Sequence, residues 1–461
     1  MSGLQAVTKT RLADLDTPVS AYMKLCHGQR DSFLFESGET VESLGRYSIV
    51  AWDPLCWLRL GPDRAELAMD GKLSSHPAPE FFDLARRVMA GLDCQGLPAL
   101  PFVGSLVGYV GYDAVRLMER LPSAKEQSLP IANLCYPSRF AIFDHLFRMM
   151  TLVAISPDEA AGRAKLKEMD QMLSHPLRLG SRPTNFVCRK PPKERFVEGV
   201  NKAKEYILDG DIFQVVLSDQ FTGETDMDPI SVYRWLRVKN PSPYMFFLNF
   251  GDCQLVGASP ETLVKIKGQS VYIRPIAGTR GRSSDPVRDK ELERELMNSE
   301  KERAEHIMLV DLARNDVGRV CSYGSVQVDP YMTVERYSHV MHIVSQVQGR
   351  LRPELDAWDA FKAGFPAGTV SGAPKVRAME IIDELESLPR GTYGGGVGRF
   401  GPDTQMDTCI AIRMIQFKDQ RFTVQVGAGI VADSVPEMEY QEIQQKAAQA
   451  TAALRAAEEM Q

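Results

Sequence analysis

The sequence lacks the features that mark several large classes of protein. No stretch approaches the roughly 18 uninterrupted apolar residues of a membrane-spanning helix, and the first residues contain no apolar signal-peptide core. The eight cysteines form no Cys-x-x-Cys pair and no His/Cys ligand spacing, which argues against structural zinc and for reduced thiols. Acidic residues outnumber basic ones, 60 to 54, which disfavours a nucleic-acid partner. We therefore expect a cytoplasmic protein with no membrane and no nucleic-acid partner.

The chain divides unevenly at a segment rich in proline, glycine and basic residues. Residues 179–193 carry no helical period, which predicts an exposed connector. Short strand-like runs fill residues 1–178, whereas strands alternate with a few long helices in residues 194–461. At 461 residues and 44% hydrophobic, the chain can form two or more packed units. This mixture predicts an α+β fold.

The clearest pair of strands is a hairpin. Val264 and Ile266 alternate with lysines, and the alternation resumes after a Gly-Gln turn. Folding the chain about this turn brings Glu261 beside the Arg-Pro-Ile-Ala-Gly-Thr segment that ends at Thr279. The pattern therefore predicts a carboxylate next to a Gly-Thr loop, an arrangement that could form a site.

Two predicted helices carry acidic residues that could bind a metal ion. A capping-box pattern at Ser434 predicts a helix on which Glu442 and Lys446 are neighbours, and spacing alone makes them an exposed ion pair. A second helix is predicted over residues 290–316, with Glu305 at the edge of its apolar stripe. Two carboxylates from separate helices would suit magnesium, which keeps several waters.

Three further patterns admit both a structural and a functional interpretation. Alternation through residues 408–414 predicts one strand on which Arg413 either holds a carboxylate or lies on a solvated edge. The Gly-Ala-Gly segment 427–429 is followed by too few residues for a dinucleotide fold, so its backbone is expected to approach an anion. His342, between apolar residues, is either a core histidine or a general acid or base.

Several segments together resemble the chorismate-utilising enzymes, in particular their anthranilate synthase branch. They occur in the order typical of that family and include the sequences Gly-Ala-Ser-Pro-Glu and Ser-Gly-Ala-Pro-Lys. The matching segments are residues 210–218, 257–261, 274–279, 303–306, 311–316, 371–375 and 427–434. The resemblance implies the chorismate-binding enzyme fold, with mostly antiparallel sheets packed as a sandwich with flanking helices. It also implies a catalytic region at 194–461 and a regulatory, partner-binding region at 1–178.

The resemblance further implies a role for each candidate residue. Glu261 would be the general acid and His342 would assist the loss of pyruvate. Gln214 stands where isochorismate and salicylate synthases carry a lysine that can activate water, so water is disfavoured as the nucleophile. Glu305 and Glu442 would bind Mg²⁺. The substrate-binding residues would be Gly278, Thr279, Thr369, Tyr393, Arg413, Gly427, Ala428, Gly429 and Lys446.

An enzyme of this branch would convert chorismate and ammonia to anthranilate and pyruvate, the first step of tryptophan biosynthesis. Ala277 stands where many aminodeoxychorismate synthases carry a nucleophilic lysine, which favours direct addition of ammonia. An aminodeoxychorismate synthase of the folate branch is the alternative, because some of its members also carry alanine there, and a non-catalytic tryptophan sensor is a third hypothesis. No Gly-x-Cys-x-Gly nucleophile elbow is present, so ammonia is expected from a separate glutamine amidotransferase subunit or from solution.

Two segments resemble the family's binding site for tryptophan as a feedback inhibitor. Without the family, residues 34–37 could be a strand end and residues 240–245 a proline-rich turn. Phe35 replaces the usual leucine. The inhibitor-binding residues implied are Ser37, Pro241, Ser242, Pro243, Tyr244 and Met245.

Overall fold

The computed structural model describes residues 3–38, 45–122, 124–177, 186–337, 340–401 and 405–459. Its strands are β1 (Leu4–Leu12), β2 (Ser32–Glu36), β3 (Tyr47–Leu60), β4 (Arg64–Met69), β5 (Lys72–Pro77), β6 (Cys94–Gln95), β7 (Leu106–Val110), β8 (Ala132–Asp144), β9 (Met149–Ser156), β10 (Phe186–Arg189), β11 (Gln214–Thr225), β12 (Tyr244–Asn249), β13 (Cys253–Ser259), β14 (Thr262–Lys267), β15 (Ser270–Ile273), β16 (Ile276–Gly281), β17 (Gln327–Val328), β18 (Thr333–Arg336), β19 (Val340–Val344), β20 (Val347–Arg350), β21 (Gly372–Ala373), β22 (Gly396–Phe400), β23 (Gln405–Ile410), β24 (Met414–Lys418) and β25 (Arg421–Ile430).

Its α-helices are α1 (Pro18–Leu25), α2 (Phe81–Gly91), α3 (Glu159–Ser174), α4 (Lys193–Leu208), α5 (Pro229–Lys239), α6 (Pro286–Asn298), α7 (Glu300–Gly318), α8 (Ala357–Gly364), α9 (Lys375–Leu385) and α10 (Pro436–Glu459). Short 3₁₀ turns lie at Ala78–Glu80, Tyr112–Leu117 and Gly368–Val370. None of the helices that the structure describes is both long and apolar enough to cross a membrane.

Two antiparallel sheets share the long strands β3 and β8. The first half of β3 pairs with β2 and its second half with β4, while β8 pairs first with β7 and then with β9. One sheet continues from β2 through β12, β13, β24 and β25 to β11. The other continues from β7 through β22, β23, β14 and β15 to β20. Strands of the N-terminal and C-terminal regions are therefore paired within both sheets.

The alternation of side chains along β12 shows how the core is layered. Phe246 and Leu248 point into the cluster between the two sheets, whereas Met245 and Phe247 point to the cluster beneath the outer helices. In a strand, successive side chains face opposite sides, so a strand covered on both sides is apolar throughout. The α+β sandwich with flanking helices predicted from the sequence is the observed fold.

The predicted hairpin is also observed, because β14 and β15 pair in antiparallel register with Ile266 opposite Val271. A separate three-stranded sheet, in the order β16, β19, β18, packs on α6 and α7. Leu296, Met341 and Ile343 form its small core. This sheet carries the Gly-Thr loop and His342.

Two elements that the sequence predicted as continuous are each broken. The helix predicted over residues 290–316 is wrong, since α6 ends at Asn298 and α7 begins at Glu300, with the Ser299 side chain accepting from the Glu302 amide at 3.4 Å. A serine at this position caps the second helix. The strand predicted over residues 408–414 is wrong as well. It is interrupted between β23 and β24, where Arg413 takes a left-handed φ of 50°.

The predicted connector falls only partly within the described residues. Residues 179–185 lie outside them, whereas Phe186–Arg189 form β10, which pairs with β11. Burial alternates along β10, but its sequence Phe-Val-Cys-Arg does not alternate between apolar and polar residues, so the pattern did not predict this strand. The assignment of a regulatory role to residues 1–178 and of a catalytic role to residues 194–461 stays a prediction.

A buried ion pair takes the place of a missing strand beside β11. Among the strands that the structure describes, β21 pairs with β11 up to Val215 and β10 pairs from Thr222 onward, which leaves the intervening edge without a strand. The Glu386 carboxylate accepts from the Ser218 amide at 2.7 Å, and Arg390 donates to the Val216 carbonyl at 2.7 Å. Buried backbone groups require such partners.

Replacing Glu386 with alanine should destabilise the fold strongly. The variant leaves Arg390 buried without its carboxylate, so we expect the free energy of unfolding, measured by urea denaturation, to fall by about 3–5 kcal/mol. Glu159→Ala is the matched control, because Glu159 and Arg163 form an i, i+4 pair of the same spacing on the exposed surface of α3. The control should lose about 0.5 kcal/mol or less. Equal small losses in both variants would show that the buried pair does not support β11.

Candidate active site

Glu261 is a buried carboxyl group in the turn between β13 and β14. Its side chain accepts a hydrogen bond at 3.0 Å from the hydroxyl of Thr369, which lies in the 3₁₀ turn after α8. Burial raises the pKa of Glu261 to about 8, against the opposing effects of this hydrogen bond and of the positive charge on Arg413. Glu261 therefore retains its proton at neutral pH, as a general acid must.

A cleft with an empty volume of about 350 Å³, open to solvent, adjoins Glu261 and Thr369. Leu309 and Leu312 of α7 and Pro275 also line it. The cleft is thus walled by apolar side chains with a few convergent polar groups, which is the usual composition of a site for a small organic ligand.

Arg413 is the positive charge nearest to this acid. Its carbonyl oxygen accepts from the Ala258 amide at 3.1 Å, which ties the bend between β23 and β24 to the end of β13. In the part of the chain that the structure describes, no acceptor lies within hydrogen-bond distance of the guanidinium. Burial lowers the pKa of Arg413, while Glu261 acts to raise it. A partly buried guanidinium with unused donors is suited to binding a ligand carboxylate.

His342 is held in one tautomer by the strand opposite. Its Nδ1 lies 2.9 Å from the Gly278 carbonyl oxygen and 3.1 Å from the Thr279 hydroxyl. A carbonyl oxygen can only accept, so Nδ1 carries the proton and Nε2 keeps its lone pair. Gly278 makes this contact possible because it forms a bulge between β16 and β19 with a φ of 66°, which favours glycine. Burial lowers the pKa of His342, so the ring is neutral and can accept a proton.

Two glycines of β25 create space for side chains that lie against the strand. A Cβ at Gly429 would be 2.6 Å from the Gln214 amide nitrogen, and a Cβ at Gly427 would be 2.6 Å from the Tyr393 hydroxyl. These glycines are required because of close approach and not for their backbone angles. The side chain of Ala428 points the other way, into the core beneath the outer helices. Only its backbone can therefore face the inside of the sandwich.

Lys446 joins α10 to the same strand. Its ammonium group donates to the Gly427 carbonyl oxygen at 2.9 Å and pairs with Glu442 at 2.7 Å. The ion pair expected from i, i+4 spacing is thus present. Because both side chains are partly exposed, the pair contributes little to stability and either member can turn to a ligand.

Glu305 faces other carboxylates across the space between α7 and α10. Burial raises the pKa of Glu305, and the negative charges of Glu302 and Glu442 raise it further. No group of three or more acidic, histidine or cysteine side chains in the described residues is arranged to hold a metal by itself. Carboxylates that repel one another nevertheless fit a hard divalent cation that takes its other ligands from water and substrate.

Glu302 and Glu439 are two acidic residues of this cluster that the sequence analysis did not single out. Burial raises the pKa of Glu439, with a further contribution from Glu442, and Glu302 pairs with Arg280 at 3.1 Å. Each lies three residues before a predicted metal ligand, at the i, i+3 spacing that places both carboxylates on one helix face. This repeated Glu-x-x-Glu spacing was the signal that could have revealed them.

The two segments predicted to bind tryptophan lie side by side. The Gly38 amide donates to the Ser242 carbonyl at 2.8 Å, and Met245 pairs with Glu36 across β12 and β2. Ser37 follows β2 directly. The other members of the predicted set are Pro241, partly buried, and Pro243, buried.

Tyr244 connects this region to the acid. Its hydroxyl lies 2.9 Å from the hydroxyl of Thr262, the residue after Glu261, and donates to Asp407 at 2.9 Å. Burial raises the pKa of Tyr244, so the hydroxyl keeps its proton for these bonds. The predicted inhibitor segment is therefore hydrogen-bonded to the strand that begins beside Glu261.

Comparison with known proteins gives consistent results. The family model described as chorismate binding enzyme matches residues 32–452. Anthranilate synthase component 1 of Cereibacter sphaeroides is 44% identical, over 97% of this chain and 94% of that protein. The protein of the same name from Thermus thermophilus is also 44% identical, over 97% of each chain. The crystal structure of anthranilate synthase component I from Streptococcus pneumoniae superposes with a TM-score of 0.80 at 37% identity, covering 96% of this chain and 99% of that one.

Substituting Glu261 with glutamine should change how stability depends on pH. The carboxyl group binds its proton up to a pKa of about 8 when folded but only to the ordinary 4.5 when unfolded, so wild-type stability falls as pH rises between these values. Glu261→Gln cannot titrate and should gain stability relative to wild type across this range, measured by urea unfolding from pH 5 to 9. Glu295→Gln, at an exposed position on α6, is the control. A Glu261→Gln difference that stays constant with pH would contradict the raised pKa.

Proposed function

The chain belongs to the family of chorismate-binding enzymes, and from that premise we propose that it is the large subunit of an anthranilate synthase. The reaction converts chorismate and ammonia to anthranilate and pyruvate. The observation that carries the proposal is the proton that burial keeps on Glu261 at neutral pH. Loss of a ring hydroxyl requires an acid of this kind close to a bound substrate.

Glu261 donates its proton to the ring hydroxyl, which leaves as water while ammonia adds to the ring. The added ammonium group then loses a proton, which restores the acid. Thr369 orients the carboxyl group through its 3.0 Å hydrogen bond. Acid catalysis by a correctly placed group typically contributes 10²–10⁴-fold to a rate.

His342 acts in the second half of the reaction. Its Nε2 lone pair accepts a proton from the ring carbon, the electrons of that C–H bond make the ring aromatic, and the C–O bond to the side chain breaks. The enolpyruvyl group leaves and takes up a proton to give pyruvate. The Nδ1 contact with Gly278 fixes the tautomer that this step needs.

Arg413 and Tyr393 hold the carboxylate of the enolpyruvyl side chain. The Arg413 guanidinium has no described protein acceptor, and the Tyr393 hydroxyl is buried against Gly427. Burial raises the pKa of Tyr393 to about 12, so the hydroxyl is a donor at neutral pH. Both groups can therefore donate hydrogen bonds to an anion in an environment with little competing water.

Glu305 and Glu442 would bind magnesium, with Lys446 turning from Glu442 to the anionic substrate. When bound, the ion would neutralise and orient the ring carboxylate of chorismate. The mutual repulsion among Glu302, Glu305 and Glu442 supports this role, since a divalent cation would relieve it.

Ammonia, and not water or a lysine, is the nucleophile in this proposal. The Gln214 side chain packs against Gly429 and offers an amide in place of a basic amine. Ala277 is a buried alanine on β16 and cannot form a covalent intermediate. A separate glutamine amidotransferase subunit supplies the ammonia. All eight cysteines are free thiols, most of them buried, which supports a reducing, cytoplasmic location.

The test incubates the purified protein with chorismate, ammonium and Mg²⁺ and identifies the products. We expect anthranilate, seen by its fluorescence, together with an equal amount of pyruvate. Glu305→Gln should lower Mg²⁺-dependent turnover about 100-fold or more and weaken Mn²⁺ binding measured by electron paramagnetic resonance. Glu295→Gln, a carboxylate on the neighbouring helix α6, should change neither. Accumulation of aminodeoxychorismate without pyruvate would reassign the chain to the folate branch.

Feedback inhibition by tryptophan at the adjoining segments 37–38 and 241–245 is the regulatory part of the proposal. A Cβ at Gly38 would lie 2.6 Å from the backbone nitrogen of Ser242, so any larger residue pushes the two segments apart. We expect Gly38→Ala to raise the tryptophan concentration needed for half-inhibition about 10-fold or more without lowering uninhibited turnover.

Gly91→Ala is the control for this prediction, because a Cβ at Gly91 meets open space. It should leave inhibition unchanged. If Gly38→Ala were inhibited at the wild-type tryptophan concentration, the inhibitor would not bind between these segments.

A further inference from the structure

Arg399, on β22, makes few polar contacts with the described residues of the protein. Its guanidinium donates to the Gln405 side chain at 3.2 Å, and its Cζ lies 5.9 Å from the centre of the Phe102 ring. No carboxylate of the described residues lies within 4 Å of its nitrogens. Arg399 is partly buried, and this burial lowers the pKa of its guanidinium.

The carboxylate that β-sheet register places opposite Arg399 is already engaged. Asp407 pairs with Arg399 across β22 and β23, yet one of its oxygens accepts from the Tyr244 hydroxyl at 2.9 Å. Its other oxygen forms an ion pair with Lys265 at 2.9 Å. A guanidinium has five N–H donors and is costly to bury without an anion. Arg399 therefore retains capacity for an anion that the described residues do not supply.

The residues around Arg399 are those of the proposed tryptophan site. Tyr244 belongs to that site and is close enough to Arg399 to act on the pKa of the arginine, which it raises. Phe102, beneath the guanidinium, also packs on Phe35 with ring centres 4.6 Å apart. Phe35 lies on β2, two residues before Ser37. Arg399 is thus close to Tyr244 of one segment and, through Phe102, to the strand that leads into the other.

We propose that Arg399 binds the α-carboxylate of the amino-acid inhibitor and so makes this site selective for free amino acids. The planar fork of a guanidinium matches a carboxylate with two parallel hydrogen bonds. This inference rests on the proposed inhibition by tryptophan. It adds the residue that recognises the ligand's charge, which neither of the two segments contains.

The experiment compares L-tryptophan with L-tryptophanamide, which replaces the carboxylate by a neutral amide of the same shape. Isothermal titration calorimetry measures both affinities in wild type, in Arg399→Gln and in Arg421→Gln. Wild type should prefer tryptophan, and Arg399→Gln should lose tryptophan affinity about 10- to 100-fold while binding the amide unchanged. Arg421→Gln, which removes an exposed arginine at the start of β25, should match wild type.

Uninhibited turnover of chorismate checks that each variant is folded, because Arg399 is not part of the catalytic machinery. If Arg399→Gln fails this check, Arg399→Lys replaces it, since a lysine keeps the charge but not the fork and should lose part of the preference. Equal affinity of wild type and variant for tryptophan would overturn the role of Arg399 and leave inhibition intact. Equal losses for tryptophan and its amide would also overturn it. A wild-type protein that binds no tryptophan would instead overturn the proposed inhibition itself.

Discussion

The ion pair between Glu386 and Arg390 supports the inner face of the sandwich. It lies along the part of the β11 edge that has no strand partner among the described residues, where the carboxylate accepts from Ser218 and the guanidinium donates to the carbonyls of Val216 and Val370. Val370 ends the 3₁₀ turn that contains Thr369, whose hydroxyl is bonded to Glu261. The ion pair therefore connects β11 to the turn that holds the proton donor. Arg390 also lies over the Tyr393 ring, with its Cζ 5.6 Å from the ring centre. Burying two charges costs free energy unless their polar groups are satisfied, and here backbone groups of β11 provide partners for both charges.

Desolvation sets the protonation states from which the proposed chemistry follows. The same burial that keeps a proton on Glu261 keeps His342 neutral, so one group can donate and the other can accept at a single pH. Arg413 carries a positive charge whose donors have no acceptor among the described residues, whereas Glu305 and Glu442 concentrate negative charge between α7 and α10. An anionic substrate would neutralise the charge of Arg413, and a divalent cation bound with it would neutralise the charges of Glu305 and Glu442. The charge pattern thus supports a substrate with carboxylates at separate positions, as chorismate has.

Local pattern predicted much of the fold, and failures occurred where a single backbone position decides the outcome. The β14–β15 hairpin followed from alternation and a Gly-Gln turn, both of which are local. Ser299 was hidden within a continuous helical stripe, because a serine can occupy a helix as well as cap one. The left-handed φ of Arg413 gives no sequence signal at a non-glycine residue. The contact between Gln214 and Gly429 joins residues more than 200 positions apart and could be anticipated only from the family resemblance. The order of motifs along the chain therefore predicted which residues matter, and the structure was needed to relate them in space.

Infrared difference spectroscopy of wild type against Glu261→Gln tests most directly the claim that a neutral buried carboxyl group is the proton donor. At pH 7 the wild-type protein should show the C=O stretch of a protonated carboxyl group that the variant lacks. That band should fade as pH rises through about 8, the pKa to which burial raises Glu261. A wild-type spectrum that contains only carboxylate bands from Glu261 at pH 7 would contradict the account, because an ionised Glu261 could not protonate the departing hydroxyl.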